Sequence, residues 1–350
     1  ILIHSEMTDF ISRHPMQQFN LSAFGIDNLR QVTVSTPEPG PGEVLIKFGG
    51  ASVNYRDYQI CTGEFAPDQP LPIVPCSDGA GTVVAVGENV NRFVAGDPVA
   101  PLFFPRWLHG AALGDERSVS SGLEAPGVLR EYGVYAEDQV ARVSPHLSAV
   151  EAACYPCAGL TAWTSLVDCS HIAANDWVLI QGTGGVSIAA LQFAKALGAS
   201  VIATSSSEEK LARVSALGAD HTINYRTHPD WGQIAFDLTG SRGVDAVIEI
   251  GGSGTLPQSL TAIRRGGHVN IIGYLAGVGV DLTVYDLIMK NANLHGVSVG
   301  NRDSFDAMMA CIADHGIRPV IGQRHDFNDA PQAITKIAEG NHFGKIVIEY

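Results

Sequence analysis

The chain has 350 residues, 45% of them hydrophobic and 17% charged, with a formal net charge of −14. That composition fills the core of one large domain or two medium ones, and so acidic a surface argues against nucleic acid or an anionic membrane as a partner. No run of about 18 apolar residues marks a membrane span. Cys61, Cys76, Cys154, Cys157, Cys169 and Cys311 do not form a disulfide framework, and no secretory signal precedes them. The expectation is a cytoplasmic protein with reduced thiols. Residues 1–15 open on Ile1, show no period, and read as an extension or expression remnant outside the fold.

Strand-like sequence starts soon after Met16, and residues 30–150 read as strands and turns. The turn cluster Pro37-Glu38-Pro39-Gly40-Pro41-Gly42 leads into the strand Glu43–Phe48, and Gly79–Gly87 is a second apolar run. Residues 105–130 are polar and glycine-rich and read as a long loop, with Trp107 and His109 as candidates to line a substrate pocket. From about residue 151 the rhythm changes. Strands at 177–181, 200–204, 222–224, 244–250 and 268–272 alternate with helices at 186–197, 208–217, 229–239 and 257–264, which spells βαβ units and a parallel sheet. Helices near 303–315 and 329–339 and a strand at 345–349 close the chain.

The strand Trp177–Gln181 runs straight into Gly182, Thr183, Gly184, Gly185 and Val186, and then into a helix. Strand, glycine turn and helix N-terminus in that order gather backbone N–H groups and the positive end of a helix dipole, where a pyrophosphate fits. The third glycine of the G-x-G-x-x-G pattern is replaced by Ser187. An NAD site keeps an acid near the end of the second strand for the ribose 2′-hydroxyl. Here that strand ends at Ala203-Thr204 and is followed by Ser205, Ser206 and Ser207, with Lys210 one turn on and Tyr225 after the third strand. Hydroxyls and a lysine suit a 2′-phosphate, so the expected cofactor is NADP (NADPH). Ser206 with Glu209, or Ser205 with Glu208, also reads as a capping box that needs no ligand. Gly251 and the pair Ile272 and Gly273 follow further parallel strands, at the carboxyl ends where open sheets bind ligands.

With Asn54-Tyr55-Arg56-Asp57, Ser77-Asp78-Gly79-Ala80-Gly81, Ala158-Gly159-Leu160-Thr161-Ala162, the glycine turn and Gly344-Lys345-Ile346-Val347, the chain from about residue 20 onward resembles the medium-chain dehydrogenase/reductase superfamily, in particular its zinc-independent, quinone-oxidoreductase-like branch. The resemblance implies an α/β protein: a Rossmann doubly wound parallel sheet over 151–294, and a GroES-like, mostly-β catalytic domain from 16–150 with 295–350. It implies hydride transfer between NAD(P)H and a small-molecule carbonyl, alcohol, quinone or activated alkene. It also implies a homodimer joined by the edge of the Rossmann sheet near Leu294–Val299. Zinc-dependent relatives carry a cysteine ligand where this chain has Asn54 and a His-Glu pair where it has Ser77-Asp78, and Asn and Ser are poor zinc ligands. No metal is expected, and Cys154-x-x-Cys157, in an apolar run, reads as packing.

Without a metal, hydrogen-bond donors and a proton source must polarise the carbonyl. The resemblance puts Asn54 and Asp57 near the nicotinamide as catalytic residues, with Tyr58 as a neighbouring phenol; Gln59 and Phe65 stand where related quinone reductases have tyrosines. Asn54 and Asp57 could equally cap a turn, and Tyr58 could be a core aromatic. Thr161, Val297, Ser298, Val299, Phe343 and Lys345 are the remaining cofactor contacts implied by the family pattern. The leading expectation is an NADPH-dependent reductase; an oxidative alcohol dehydrogenase and a non-catalytic NADPH-binding protein stand beside it.

Overall fold

A computed structural model describes residues 15–279 and 282–350. The strands and helices, in chain order, are β1 (Pro15–Leu21), β2 (Leu29–Ser35), β3 (Glu43–Val53), α1 (Tyr55–Thr62), β4 (Asp78–Val86), β5 (Pro98–Pro101), β6 (Tyr132–Ala136) and β7 (Val140–Arg142). The chain then passes through α2 (Ala149–Ala152) and α3 (Leu160–Trp163), with π-helical turns at Tyr155–Gly159 and Thr164–Cys169. The alternating region follows: β8 (Trp177–Gln181), α4 (Gly185–Ala196), β9 (Ser200–Ser205), α5 (Glu208–Ala216), β10 (His221–Asn224), α6 (Trp231–Leu238), β11 (Val244–Glu249), α7 (Leu256–Ala262), β12 (Ile263–Ile271), α8 (Val284–Lys290) and β13 (Asn293–Gly296). Last come α9 (Arg302–His315), β14 (Ile321–Asp326), α10 (Ala330–Ala338) and β15 (Lys345–Glu349).

These elements form two compact units. The second is Ala158–Gly300, and the first joins the chain up to Cys157 to Asn301–Tyr350. The dividing lines therefore fall a few residues after those expected at 150 and 294. The chain leaves the first unit after Cys157 and re-enters it at the N-cap of α9, so that β14 and β15 complete the sheet from the far end of the sequence.

In the second unit the six strands are parallel, in the order β10-β9-β8-β11-β12-β13. Strand order reverses between β8 and β11, which is the switch point where such sheets bind ligands. β8, β9 and β11 read as unbroken apolar runs because helices cover both faces; Val178, Leu179, Ile180, Val201, Ile202, Val247 and Ile248 are all fully buried.

In the first unit β14-β15-β3-β4-β5-β7 form one sheet, with β6 paired to β3 and a separate β1-β2 hairpin. β3 is longer than the sequence suggested because it continues through Gly49 and Gly50 after a bulge at Phe48/Gly50. The helix α2 lies so close that a Cβ on Gly50 would come within 2.9 Å of the Val150 backbone. Phe19, Leu21, Ile46, Phe48, Val83, Val128, Ile334 and Ile348 belong to the core of this unit. The stretch between β5 and β6 carries no strand or helix, as expected of a long loop. No helix among the described residues is long and apolar enough to cross a membrane.

Candidate active site

The glycine turn closes β8. Gly182 has φ +69°, a left-handed conformation that glycine adopts without the Cβ penalty. Its N–H donates to Thr204 O at 2.8 Å, tying the turn to the end of β9. Gly184 is the N-cap of α4, and the first helical bond runs from Ile188 N–H to Gly184 O at 3.0 Å. The N–H groups of Gly185, Val186 and Ser187 precede that bond and lack a partner within the helix. They suit a phosphate oxygen, and the 12-residue helix aims its dipole at the same point.

Ser187, the departure from the glycine pattern, has a function of its own. It is fully buried, and its hydroxyl donates to Gln181 O at 2.6 Å. Helix and strand are thus bonded together at the place where a glycine would only let them approach.

Gln181 begins a buried network that sequence reasoning missed. Its Nε2 donates to Glu249 Oε2 at 2.7 Å and to Ser259 Oγ at 2.8 Å. Glu249, wholly enclosed, also accepts from Ser259 Oγ (2.5 Å), Thr255 Oγ1 (2.5 Å), Gly251 N–H (2.8 Å) and Gly252 N–H (2.9 Å). Gly251 was expected to face the cofactor. Its N–H is instead committed to Glu249 and, at 3.3 Å, to Gln181 Oε1. Ile272 and Gly273 likewise direct their N–H groups to Glu249 O, at 2.9 and 3.4 Å. The N–H groups of these three are therefore spent inside the fold. A polar residue ending each of two apolar parallel strands, Gln181 and Glu249, was the signal available in the sequence.

Ser205 ends β9, Ser206 and Lys210 follow it in the chain, and Tyr225 follows β10. Ser205 is buried, with its Oγ accepting from Ser207 N–H at 3.3 Å, while Tyr225 is 42% exposed and donates its N–H to Ser205 O at 3.1 Å. The cap of α5 is neither serine expected. β9 runs one residue further than predicted, and Ser207 Oγ takes Lys210 N–H. Ser205 and Ser206 are thus not used as caps. Glu208 turns to Asn224 Nδ2 at 2.6 Å. Burial, with Arg213 nearby, holds the Lys210 ammonium below its usual range. Thr161 is buried in α3, its carbonyl taken by Ser165 Oγ at 2.7 Å. Val297 and Val299 are buried just past β13, with Ser298 between them half-buried and Val299 at φ +60°.

In the first unit the expected catalytic residues part company. Asn54 is the N-cap of α1, and Asp57 Oδ2 accepts the Asn54 N–H at 2.8 Å. Asp57 is fully buried, and burial pushes its pKa up to about 6 against the opposing pull of Arg56 and the Asn54 N–H. It braces the start of α1, as one of the two expectations allowed. Tyr58 packs against the β-sheet core, its ring 6.2 Å from that of Tyr55.

The Asn54 side chain faces elsewhere. Lys345 Nζ donates to Asn54 Oδ1 at 2.7 Å and to Val53 O at 2.8 Å. Lys345 was expected among the cofactor contacts; its ammonium is committed instead to these two oxygens. Asn54 Nδ2 lies 3.4 Å from Ser77 Oγ, whose hydroxyl donates to Asp78 Oδ1 at 2.8 Å, and Asp78 Oδ2 accepts the Cys157 N–H at 3.0 Å. Ser77 and Asp78 are wholly buried, Lys345 and Asn54 nearly so. Burial raises the Asp78 pKa, opposed chiefly by Lys345. Phe343 is buried two residues before Lys345.

This cluster does not suit zinc. Its one carboxylate is already bonded at both oxygens, its amide oxygen faces an ammonium, and a second cation would meet that ammonium at close range. Among the described residues no group of three or more His, Cys, Asp and Glu side chains is arranged to hold a metal. Cys154 and Cys157 are free thiols, Cys154 pushed up to about 12 by burial and Cys157 pushed up by the same cause, which leaves both protonated and inert.

Trp107 and His109, expected to line a pocket, fasten the loop to α9. Trp107 O accepts Arg302 N–H at 3.1 Å. His109 Nδ1 meets Asp303 Oδ2 at 2.8 Å while its Nε2 faces Arg302 Nη2 at 3.1 Å. A carboxylate only accepts and a guanidinium only donates, so the imidazole carries its proton on Nδ1.

Two family models match: "Alcohol dehydrogenase GroES-like domain" over residues 40–145 and "Zinc-binding dehydrogenase" over 185–314. A zinc-type alcohol dehydrogenase-like protein of Schizosaccharomyces pombe is 39% identical, covering 93% of this chain and 96% of its own length. A chloroplastic quinone-oxidoreductase of Triphysaria versicolor is 30% identical, with 93% and 95% covered. Among solved structures, a putative alcohol dehydrogenase from Sinorhizobium meliloti superposes with a TM-score of 0.90 at 40% identity, covering 96% of this chain and 99% of that one. An NAD-dependent alcohol dehydrogenase superposes at 0.86 with 33% identity, covering 96% and 100%. A crotonyl-CoA carboxylase/reductase in complex with NADP superposes at 0.85 with 26% identity, covering 96% and 95%.

Proposed function

The chain belongs to the medium-chain dehydrogenase/reductase family of oxidoreductases, and on that premise we propose that it is a zinc-independent, NADPH-dependent reductase of a small quinone, enone or carbonyl. The observation that carries this reading is the Asn54 amide, clasped by Lys345 and Ser77 where zinc-dependent relatives keep metal ligands. Nδ2 also bonds the Asp78 carboxylate; with one hydrogen shared between Ser77 and Asp78, the other would polarise a carbonyl oxygen, the task a metal performs elsewhere.

The dinucleotide supplies the hydride when bound. The N–H groups of Gly185 and Val186 would hold its pyrophosphate. Ser205, Ser206, Lys210 and Tyr225 would hold the 2′-phosphate, and no carboxylate ends β9 to repel it. A second copy of the chain is the partner that fits the open edge at β13. That edge belongs to a unit that also exposes Leu275, Val284, Tyr285 and Ile288.

Nucleotide oxidation by the purified protein, measured with NADPH and NADH against quinones, enones and aldehydes, tests the reading. NADPH should show the lower Michaelis constant, and activity should survive chelation. Preference for NADH, or stoichiometric zinc with activity lost to a chelator, would overturn it in favour of a zinc-type alcohol dehydrogenase. Static light scattering giving a monomer at micromolar concentration would refute the dimer.

A further inference from the structure

A chain of donors crosses the first unit in one direction. Lysine has no acceptor, so Asn54 must present its oxygen to Lys345 and its nitrogen to Ser77. Ser77 accepts from that nitrogen and donates to Asp78. The run therefore goes ammonium, amide, hydroxyl, carboxylate, with a buried cation at one end and a buried anion at the other. Hydrogen bonds strung head to tail between such charges polarise one another in the same sense. Every polar atom of the Asn54 amide is oriented by this run, and the amide carbon bears the pull of the ammonium on its oxygen.

We infer that Lys345 is a positioning residue: through its bond to Asn54 Oδ1 it fixes the amide rotamer and sharpens the acidity of the remaining Nδ2–H, so that Asn54 serves as the electrophilic donor to the substrate oxygen. The inference deepens the reading of Asn54 given above and depends on it for its catalytic consequence. The ammonium supplies in bound form the positive charge that the residues at this position cannot recruit as zinc. Two of its three N–H groups are already spent on Val53 and Asn54, which separates this role from that of a direct phosphate ligand.

The test uses the full-length protein and three variants, K345M, K345A and N54A. Losing one charge-assisted bond to a group that acts in the transition state should lower kcat by about 10- to 100-fold in K345M. NADPH affinity, read by fluorescence titration, should stay within about twofold. Propylammonium, which replaces the missing part of the side chain in K345A, should restore turnover in a saturable manner. A weakened NADPH affinity with unchanged kcat would make Lys345 a cofactor contact and overturn the inference. A fall in kcat with a lowered thermal midpoint and no amine rescue would make Lys345 merely structural and would overturn it equally.

A second readout does not need turnover. In protein labelled with [15N]asparagine, the Asn54 side-chain amide, assigned by its loss in N54A, should exchange slowly with water in the parent and lose that protection in K345M. An unchanged amide signal would refute the bond itself. If the parent protein binds NADPH and reduces nothing in the panel, the proposed reduction fails, and the amide signal still decides whether Lys345 holds Asn54.

Discussion

Glu249→Gln replaces a buried carboxylate with an amide of the same shape, and the cost follows from its five donors. Gly251 N–H, Gly252 N–H and Thr255 Oγ1 converge on Oε1, and Gln181 Nε2 and Ser259 Oγ on Oε2. An amide oxygen can serve only one of these groups. The three-donor side is the better one to keep, because two of its donors are backbone N–H groups that cannot turn. The new NH₂ then faces Ser259, whose hydroxyl can rotate to accept, and Gln181 Nε2, which cannot. Flipping Gln181 would break its bonds to Ile250 and Gly251 N–H at 3.2 and 3.3 Å. One buried donor is stranded and three bonds lose their charge assistance. Relief of the carboxylate's desolvation works in the opposite direction. A net loss of about 2–4 kcal/mol follows, or about 4–16 °C in the midpoint of a domain this size. Differential scanning calorimetry, with and without NADPH, is the measurement. The two midpoints should fall together, because the network is internal to the fold and its donors are already spent on Glu249. A shift under about 2 °C, or a rise, would show that the carboxylate's own desolvation outweighs what it organises, and the role given to the network would fail.

Ser187→Gly restores the glycine motif yet should destabilise by about 1–2 kcal/mol, through loss of the bond to Gln181 O and a glycine in the helix. A more stable variant in urea unfolding would contradict the role given to that hydroxyl. Lys210→Ala should raise the Michaelis constant for NADPH about tenfold and leave that for NADH unchanged; equal effects on both would remove Lys210 from the 2′-phosphate site. Asp57 has its pKa raised from 3.8 to about 6 by burial. An acid whose pKa rises on folding contributes stability below its unfolded pKa and loses it as pH climbs through the folded one. The fold should therefore weaken by about 2–3 kcal/mol between pH 4 and 6, and Asp57→Asn should flatten that slope while losing the brace on Asn54 N–H. Parallel profiles for the two proteins, from urea unfolding at stepped pH, would refute the assignment.

The second unit was legible because each of its signals is local. Apolar strands of five or six residues, glycine or serine at their ends and helices of fixed length lie within short windows, and the parallel order follows from the crossover rule. The same locality explains the misses. The helix α1 is eight residues long with a weak apolar stripe, so Asn54 and Asp57 read as catalytic residues or as the brace of a turn, and not as the N-cap and third residue of a helix. Ser207 displaced Ser205 and Ser206 as the cap because β9 extends by one residue, a shift no propensity fixes. The polar clusters that matter most are non-local: Gln181 and Glu249 lie 68 positions apart, Asn54 and Lys345 lie 291 apart. Each cluster becomes necessary only when burial has removed water, since a charge enclosed in a core must find partners there. Burial is a property of the finished fold, so the family pattern offers a lysine at position 345 only as a cofactor contact near the nicotinamide end. Only the antiparallel pairing of β15 with β3 sets it beside Asn54, where its ammonium is taken up by the Asn54 amide oxygen and the Val53 carbonyl.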